Sequence, residues 1–174
     1  MLAWRDTGLT YFDFPFPSAE KSVAAMSKKL SGVLDGEALR DNPSGAPHVA
    51  DWLVRYFAGK LTAGDLKPFD RRRKSFLNYA LDPPGTDFQR RVWFENAAVP
   101  FGATASYGDL AKRVGTSPRA VGGAMGANHL PIIVPCHRVI GSDGSLTGFG
   151  GGLDVKARLL KLEADILRAN SVAR

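Results

Sequence analysis

The sequence predicts an α/β protein: a small N-terminal α/β domain over residues 1–82, then a mostly helical C-terminal domain over residues 83–174 containing a helix-turn-helix. Three observations predict this. Asp82-Pro83-Pro84-Gly85 sets two prolines and a glycine between patterned segments and is the clearest boundary in the chain. A strand pattern and helical patterns share the first part, whereas helical patterns with capping signals dominate the second. The chain has 174 residues, 44% of them hydrophobic and 23% charged, which suffices to bury a core and is ordinary for a soluble globular protein.

Each element follows from its residues. Leu9-Thr-Tyr-Phe-Asp-Phe-Pro-Phe-Pro17 reads as a strand stopped by proline. Residues Ser18 to Leu30 and His48 to Ala58 read as helices, and in the second Val49, Trp52, Leu53, Tyr56 and Phe57 recur at helical spacing. These aromatics are expected in a core, and the first domain carries no recognisable chemistry. Thr86-Asp87-Phe88-Gln89 is a capping box that opens a helix directing Phe88, Val92 and Trp93 inward, ended by Pro100-Phe101-Gly102. Ser106 to Val114 has a helical pattern closed by Gly115. Ser117 then suits an N-cap and Pro118 a first helical position. Two short helices about a glycine-bearing turn make a helix-turn-helix pattern, by itself a weak sign of DNA binding.

The second of those helices is unusual. Arg119-Ala-Val-Gly-Gly-Ala-Met-Gly-Ala127 holds three glycines, each costing up to about 1 kcal/mol against alanine in a helix interior. Either a neighbouring helix packs tightly there, or the small surface lets the backbone approach a ligand with Arg119 projecting past it. The pattern alone does not separate these.

The formal charge of +6 suits a polyanionic partner. It leans to the second part: 11 Lys and Arg stand against 7 Asp and Glu from Pro84 to Arg174, and 12 against 10 before it. The dense run Arg71-Arg72-Arg73-Lys74 lies in the first part and reads as a solvated face. No run has the length of a membrane span, and the N-terminus lacks a signal-peptide layout, so no membrane association is expected. One cysteine excludes an internal disulfide and fits a reducing, cytoplasmic compartment. With His48, His129 and His137 it gives no zinc-ligand spacing.

That cysteine, Cys136, sits in Pro131-Ile-Ile-Val-Pro-Cys-His-Arg-Val-Ile140. A thiol is strongly nucleophilic only as thiolate, and an adjacent imidazole is one of few groups able to deprotonate it near neutral pH. A lone buried cysteine is otherwise a small hydrophobe.

The surrounding sequence decides between these. Pro-Cys-His-Arg-Val resembles the active-site motif of the O6-alkylguanine-DNA alkyltransferases, and the likeness runs from Gly85 to Glu163. It includes Gly85-Thr-Asp-Phe-Gln-Arg-Arg-Val-Trp93, Ser106-Tyr-Gly-Asp-Leu-Ala111, Arg119-Ala-Val-Gly-Gly-Ala-Met125, Asn128, Gly151-Gly-Leu-Asp-Val-Lys156, Leu159-Leu160 and Glu163. Earlier, Tyr56-Phe57-Ala58-Gly59-Lys60 is similar to a feature of the family's first domain, which otherwise matches loosely.

The resemblance implies direct-reversal DNA repair, a single irreversible transfer of an alkyl group from O6-alkylguanine in flipped-out DNA to Cys136, and leaves O4-alkylthymine open as a second substrate. It implies His137 as base through a bridging water, Glu163 as the group that orients the imidazole, and Asn128 as a hinge that braces the turn. Arg119 is implied as a finger entering the base stack, and Tyr107 as a contact to the target phosphate and the flipped base. The small surface of Ala120, Gly122, Gly123 and Met125 is implied to enter the minor groove. Val139 and the Gly150 amide are implied to read the guanine edge through backbone groups, with Phe149 beside them. The partner is double-stranded DNA bearing alkylated bases, the free protein is expected to be a monomer, and no metal or organic cofactor is implied.

Three positions depart from the family pattern. The turn between Leu110 and Arg119 is two residues shorter than in many relatives. His129 stands where proline is common, and Phe149 where tyrosine is usual, followed by Gly150 rather than a hydroxyl residue. The missing phenol predicts weaker stabilisation of the departing base and room for larger alkyl groups. Two rival readings remain on the sequence: a non-catalytic sensor of alkylated DNA, against which Cys136 argues, and a cysteine hydrolase or redox thiol, for which there is no resolving cysteine.

Overall fold

The computed structural model describes residues 2–5, 8–12 and 47–172. The expected helix from Ser18 to Leu30 and the proline stop at Pro15 and Pro17 lie outside the described residues.

Strands β1 (Leu2–Arg5) and β2 (Gly8–Phe12) pair antiparallel with an irregularity between Ala3 and Trp4. The latter occupies the described part of the strand expected from Leu9. Helix α1 (Pro47–Phe57) starts and ends one residue earlier than the spacing predicts, and buries Val49, Trp52, Leu53 and Tyr56 on one face. A 3-10 turn at Ala63–Asp65 follows, then a small antiparallel sheet of β3 (Phe69–Asp70), β4 (Ser75–Phe76) and β5 (Tyr79–Ala80). The basic run Arg71 to Lys74 is the exposed turn between β3 and β4, where Asp70 Oδ1 accepts from the Arg72 and Arg73 amides. The solvated-face reading fits that position.

Beyond the boundary, helix α2 (Asp87–Ala97) carries the predicted capping box: the Gln89 amide donates to Thr86 Oγ1, and the Thr86 amide to Gln89 Oε1. It stops at Ala97, ahead of the Pro100-Phe101-Gly102 turn. Val92 and Trp93 are fully buried and Phe88 is half-buried. Strand β6 (Ala105–Ser106) leads into helix α3 (Tyr107–Val114), and helix α4 (Pro118–Gly126) follows. Ser117 caps its helix as predicted, accepting from the Ala120 amide, and Ser106, expected inside the helical pattern, is instead the N-cap of α3 and accepts from the Asp109 amide. Gly115 takes φ 76°, the left-handed geometry of a helix stop, and donates to Ala111 O. This compact stop makes the short turn possible.

A 3-10 turn at Cys136–Arg138 runs into β7 (Val139–Ile140), which pairs parallel with β6, and the chain closes with helix α5 (Leu153–Val172). One apolar cluster runs from Leu9 through Trp52, Tyr56, Phe76, Trp93, Leu110, Val121 and Ile133 to Ile166. It includes residues from both sides of Asp82, and the Asp82 amide itself donates to Leu9 O at 2.9 Å. No helix of the described residues is long and apolar enough to cross a membrane.

Candidate active site around Cys136

The approach to Cys136 is a turn held by one side chain. Asn128, just after α4, donates from Nδ2 to Val134 O at 2.9 Å and accepts the Leu130 amide at Oδ1, also at 2.9 Å. The Val134 amide closes onto Leu130 O at 2.7 Å. Inside this turn Ile132 adopts φ 69°, a left-handed geometry that a β-branched residue pays for. The Asn128 amide and the burial of Ile132 and Ile133 offset that cost. His129, at a proline position of the family pattern, lies edge-on against Trp93 with ring centroids 6.1 Å apart.

The parallel pair β6–β7 brings two motifs together. Ala105 faces Val139 and Ser106 faces Ile140, so Tyr107, which follows β6, is set beside the turn that carries Cys136. Tyr107, Gly122, Met125, Gly126, Cys136, Gly148, Phe149 and Gly150 line one pocket of about 280 Å³. That is close to the lower end of small-ligand sites. Six residues singled out in the sequence therefore meet: Tyr107, Gly122, Met125, Cys136, Phe149 and Gly150. The Tyr107 hydroxyl donates to Gly148 O at 3.4 Å, a long bond. In a separate, larger cleft of about 560 Å³, lined by Trp52, Phe76, Phe101 and Arg138 among others, no thiol, imidazole or carboxylate stands among the described lining residues.

Behind Cys136 lies a buried charge relay. His137 and Glu163 are both 0% exposed, and His137 Nε2 lies 2.8 Å from Glu163 Oε1. Arg138 reaches the same carboxylate through Nε (2.9 Å to Oε2) and Nη2 (2.9 Å to Oε1), and its Nη1 donates to Val99 O at 2.8 Å. The Gly102 amide donates to Oε2 at 2.9 Å. This last contact needs glycine. Gly102 has φ 73°, and an added Cβ would strike Leu167 at 2.1 Å. Burial opposes ionisation of Glu163, but the His137 hydrogen bond and the Arg138 guanidinium outweigh it and hold the carboxyl down at about 2. It is a carboxylate at neutral pH.

An ionised Glu163 fixes the imidazole tautomer. His137 Nε2 carries the hydrogen it donates to Oε1, which leaves the lone pair on Nδ1. That Nδ1 is buried and has no hydrogen-bond partner among the described residues. Burial lowers the His137 pKa; the Glu163 bond opposes this, and Arg138 and Lys156 reinforce it. Burial likewise pushes the Cys136 thiol up, against the Asn128 hydrogen bond and the Lys156 charge. Burial thus favours the neutral form of both thiol and imidazole.

Sequence reasoning gave no role to four groups that build this site: Tyr56, Gly102, Arg138 and Lys156. Lys156 is 0% exposed, and its Nζ donates to Val139 O at 2.5 Å and to Thr147 O at 2.6 Å. It thereby ties β7 to the loop whose residues 148–150 line the pocket. Burial lowers its pKa, and the neighbouring Cys136 raises it. A lysine in an amphipathic helix pattern normally points to solvent, so only its place in the Gly151–Lys156 block marks it.

Other expected site residues lie outside the pocket lining. Arg119 and Gly123 are exposed on α4 and Ala120 is half-buried there. Val139 is buried in β7, where its carbonyl already accepts Lys156. Among the described residues, an added Cβ would meet nothing within 4 Å at Gly123 and Gly126, and only Tyr107 Cε1 at 3.9 Å at Gly122. Tight packing against the described residues therefore does not account for the glycines of α4. Among the described residues no group of three or more His, Cys, Asp or Glu stands where it would hold a metal ion.

Residues 87–165 match the family model described as 6-O-methylguanine DNA methyltransferase, DNA binding domain. The chain is 46% identical over 125 residues to a methylated-DNA–protein-cysteine methyltransferase of Mycolicibacterium paratuberculosis, covering 71% of this chain and 68% of that protein. The crystal structure of Mycobacterium tuberculosis O6-methylguanine methyltransferase superposes with a TM-score of 0.65 at 39% identity, over 93% of this chain and 84% of the other. A structure of Mycobacterium tuberculosis OGT in complex with DNA matches with a TM-score of 0.57 at 48% identity, over 68% of this chain and 65% of the other. With Cys136, His137 and Glu163 arranged as above, the chain belongs to the methylated-DNA–protein-cysteine methyltransferase family.

Proposed function

We propose that the chain repairs O6-alkylguanine in double-stranded DNA by transferring the alkyl group, once and irreversibly, to Cys136. One observation carries the reading: a lone cysteine in the wall of a small pocket, followed by a buried imidazole whose free Nδ1 is set by Glu163. The relative named above supports it, since its name gives methylated DNA as substrate and cysteine as acceptor. In this reading the chain divides near Asp82, and acceptor, imidazole, carboxylate and helix-turn-helix belong to the C-terminal domain.

An exocyclic oxygen inside a duplex is out of reach, so the target nucleotide must be flipped, at a cost of a few kcal/mol. Helix α4 enters the minor groove with Ala120, Gly122, Gly123 and Met125 as its small face, and Arg119 takes the space the base leaves. The flipped base occupies the pocket between Tyr107, Met125 and Phe149, where Tyr107 also meets the target phosphate. The Val139 carbonyl and the Gly150 amide read the guanine edge, and Lys156 holds that carbonyl in place. Asn128 keeps the Cys136 turn fixed while this happens.

His137 takes the thiol proton at Nδ1 through one bridging water, because side chains of adjacent residues seldom face each other. Glu163 stabilises the imidazolium that forms. Cys136 Sγ bonds to the alkyl carbon as the carbon–O6 bond breaks, and the electron pair leaves with the base. The proton held by His137 returns to the departing guanine. Atoms and charges balance with no metal or organic cofactor. A thioether, unlike an acyl-enzyme, is not cleared by water, so each molecule acts once.

The reading is tested by Cys136→Ser. The variant is expected to keep binding a duplex with one O6-methylguanine while leaving the lesion intact. Loss of the lesion in its presence would contradict the assignment.

A further inference from the structure

We propose that Tyr56, on helix α1 of the N-terminal domain, is a positioning residue for alkyl transfer: its phenol fixes Glu163, and through it the imidazole that serves Cys136. The inference rests on the reading of Cys136 as acceptor and extends the active relay into the domain to which the sequence assigned no chemistry.

The geometry is direct. Tyr56 is 0% exposed, and its hydroxyl donates to Glu163 Oε1 at 3.0 Å across 107 residues of sequence. That oxygen is the one that faces His137 Nε2 at 2.8 Å. The phenol ring is locked on three sides, stacked on Trp52 with centroids 5.2 Å apart and edge-on to Phe57 at 5.2 Å and Phe101 at 6.1 Å. The core of α1 therefore sets the direction of the O–H. A core position of this shape accepts phenylalanine as readily, so packing alone does not call for the hydroxyl.

Two physical consequences follow. A carboxylate offers about four acceptor directions, and those of Glu163 are shared among Tyr56, His137, Arg138 and Gly102. The phenol proton withdraws charge from Oε1, so it tunes how strongly Glu163 holds an imidazolium. It also blocks rotation of the carboxylate away from His137. Burial, and then the Glu163 charge, raise the Tyr56 pKa, so the group remains a donor throughout the working pH range.

The test compares full-length Tyr56→Phe with wild type, a change that keeps the ring. Three quantities are measured: the rate of methyl loss from an O6-methylguanine duplex in single turnover, the pH dependence of Cys136 alkylation by iodoacetamide, and the thermal midpoint. Transfer is expected to slow about 3- to 10-fold through looser aim of the carboxylate, a fraction of what a whole hydrogen bond to a charged group is worth. The acid limb of the alkylation profile is expected to move to higher pH, because a carboxylate relieved of one donor holds the imidazolium more tightly and the free imidazole appears only at higher pH. Superimposable profiles with equal transfer rates would overturn the proposal, whatever the thermal midpoint does. If wild type itself removes no methyl group, the acceptor reading fails, and the iodoacetamide profiles still decide whether Tyr56 reaches the thiol.

Discussion

At the scale of single residues, Arg138 and Glu163 show what a sequence conceals. Both stand inside blocks that resemble the family, yet Glu163 alone reads as a solvated helix position, and nothing in Pro-Cys-His-Arg-Val says that the arginine turns inward. Burial makes them a pair: Arg138 is 6% exposed, holds both carboxylate oxygens and lies over the Phe101 ring at 5.2 Å. Cys136 and His137 were legible as candidates because the motif around them resembles the family's; a lone cysteine by itself reads as a small hydrophobe. Tyr56 and Lys156 were not, since an aromatic at helical spacing and a helix lysine have ordinary explanations. Arg119 remains exposed, with no ion pair among the described residues, as a finger into DNA requires. Arg119→Ala is expected to slow repair of duplex DNA more than reaction with the free modified base. Equal losses on both substrates, measured as single-turnover rates, would remove the finger role.

At the scale of elements, the capping signals at Thr86 and Ser117 marked two helix starts, because each depends on a local side chain and a local amide, whereas the same signal at Ser106 went unread. The ends were less legible. Helix α2 stops at Ala97, three residues before its proline, with the Ala98 amide closing onto Phe94 O and Asn96 O. The pairing of β6 with β7 was not visible at all, since two-residue strands carry no period. It nevertheless sets Tyr107 against the Cys136 turn. Helix α4 offers the sharpest element-level prediction. Among the described residues, nothing lies within 4 Å of a Cβ added at Gly123. Gly123→Ala is therefore expected to stabilise the chain by about 0.5–1 kcal/mol, as alanine in a helix interior does, while weakening duplex binding. Denaturant melts together with titration of a lesion-bearing duplex check this. A gain in stability with unchanged DNA affinity would return the glycines to chance.

At the scale of the whole molecule, one core spans the boundary near Asp82, and a single carboxylate collects groups from α1, the Gly102 turn, the Cys136 turn and α5. Stability should therefore depend on pH through two groups whose folded pKa values are lowered. Glu163 lies at about 2, below its ordinary 4.5, so its contribution is present above about 4.5 and is lost as pH falls toward 2. His137 is also lowered from 6.5, so the unfolded chain takes up a proton first, and stability begins to fall below about 6.5. Thermal melts from pH 8 to pH 3 should show a midpoint falling steadily below 6.5, and Glu163→Gln should flatten the acid part. That variant also leaves Arg138 buried without a counter-charge, which costs about 3–5 kcal/mol. A midpoint constant from pH 7 to 4 would contradict this electrostatic account.

The central claim is that Cys136 accepts an alkyl group from DNA once and keeps it. The intact mass of the protein after mixing with excess duplex bearing one O6-methylguanine measures this directly, with Cys136→Ser as control. The account predicts a gain of one methylene on the wild-type chain alone, saturating at one per molecule. Tight binding to that duplex with no change in mass would contradict it and leave a sensor of alkylated DNA in its place.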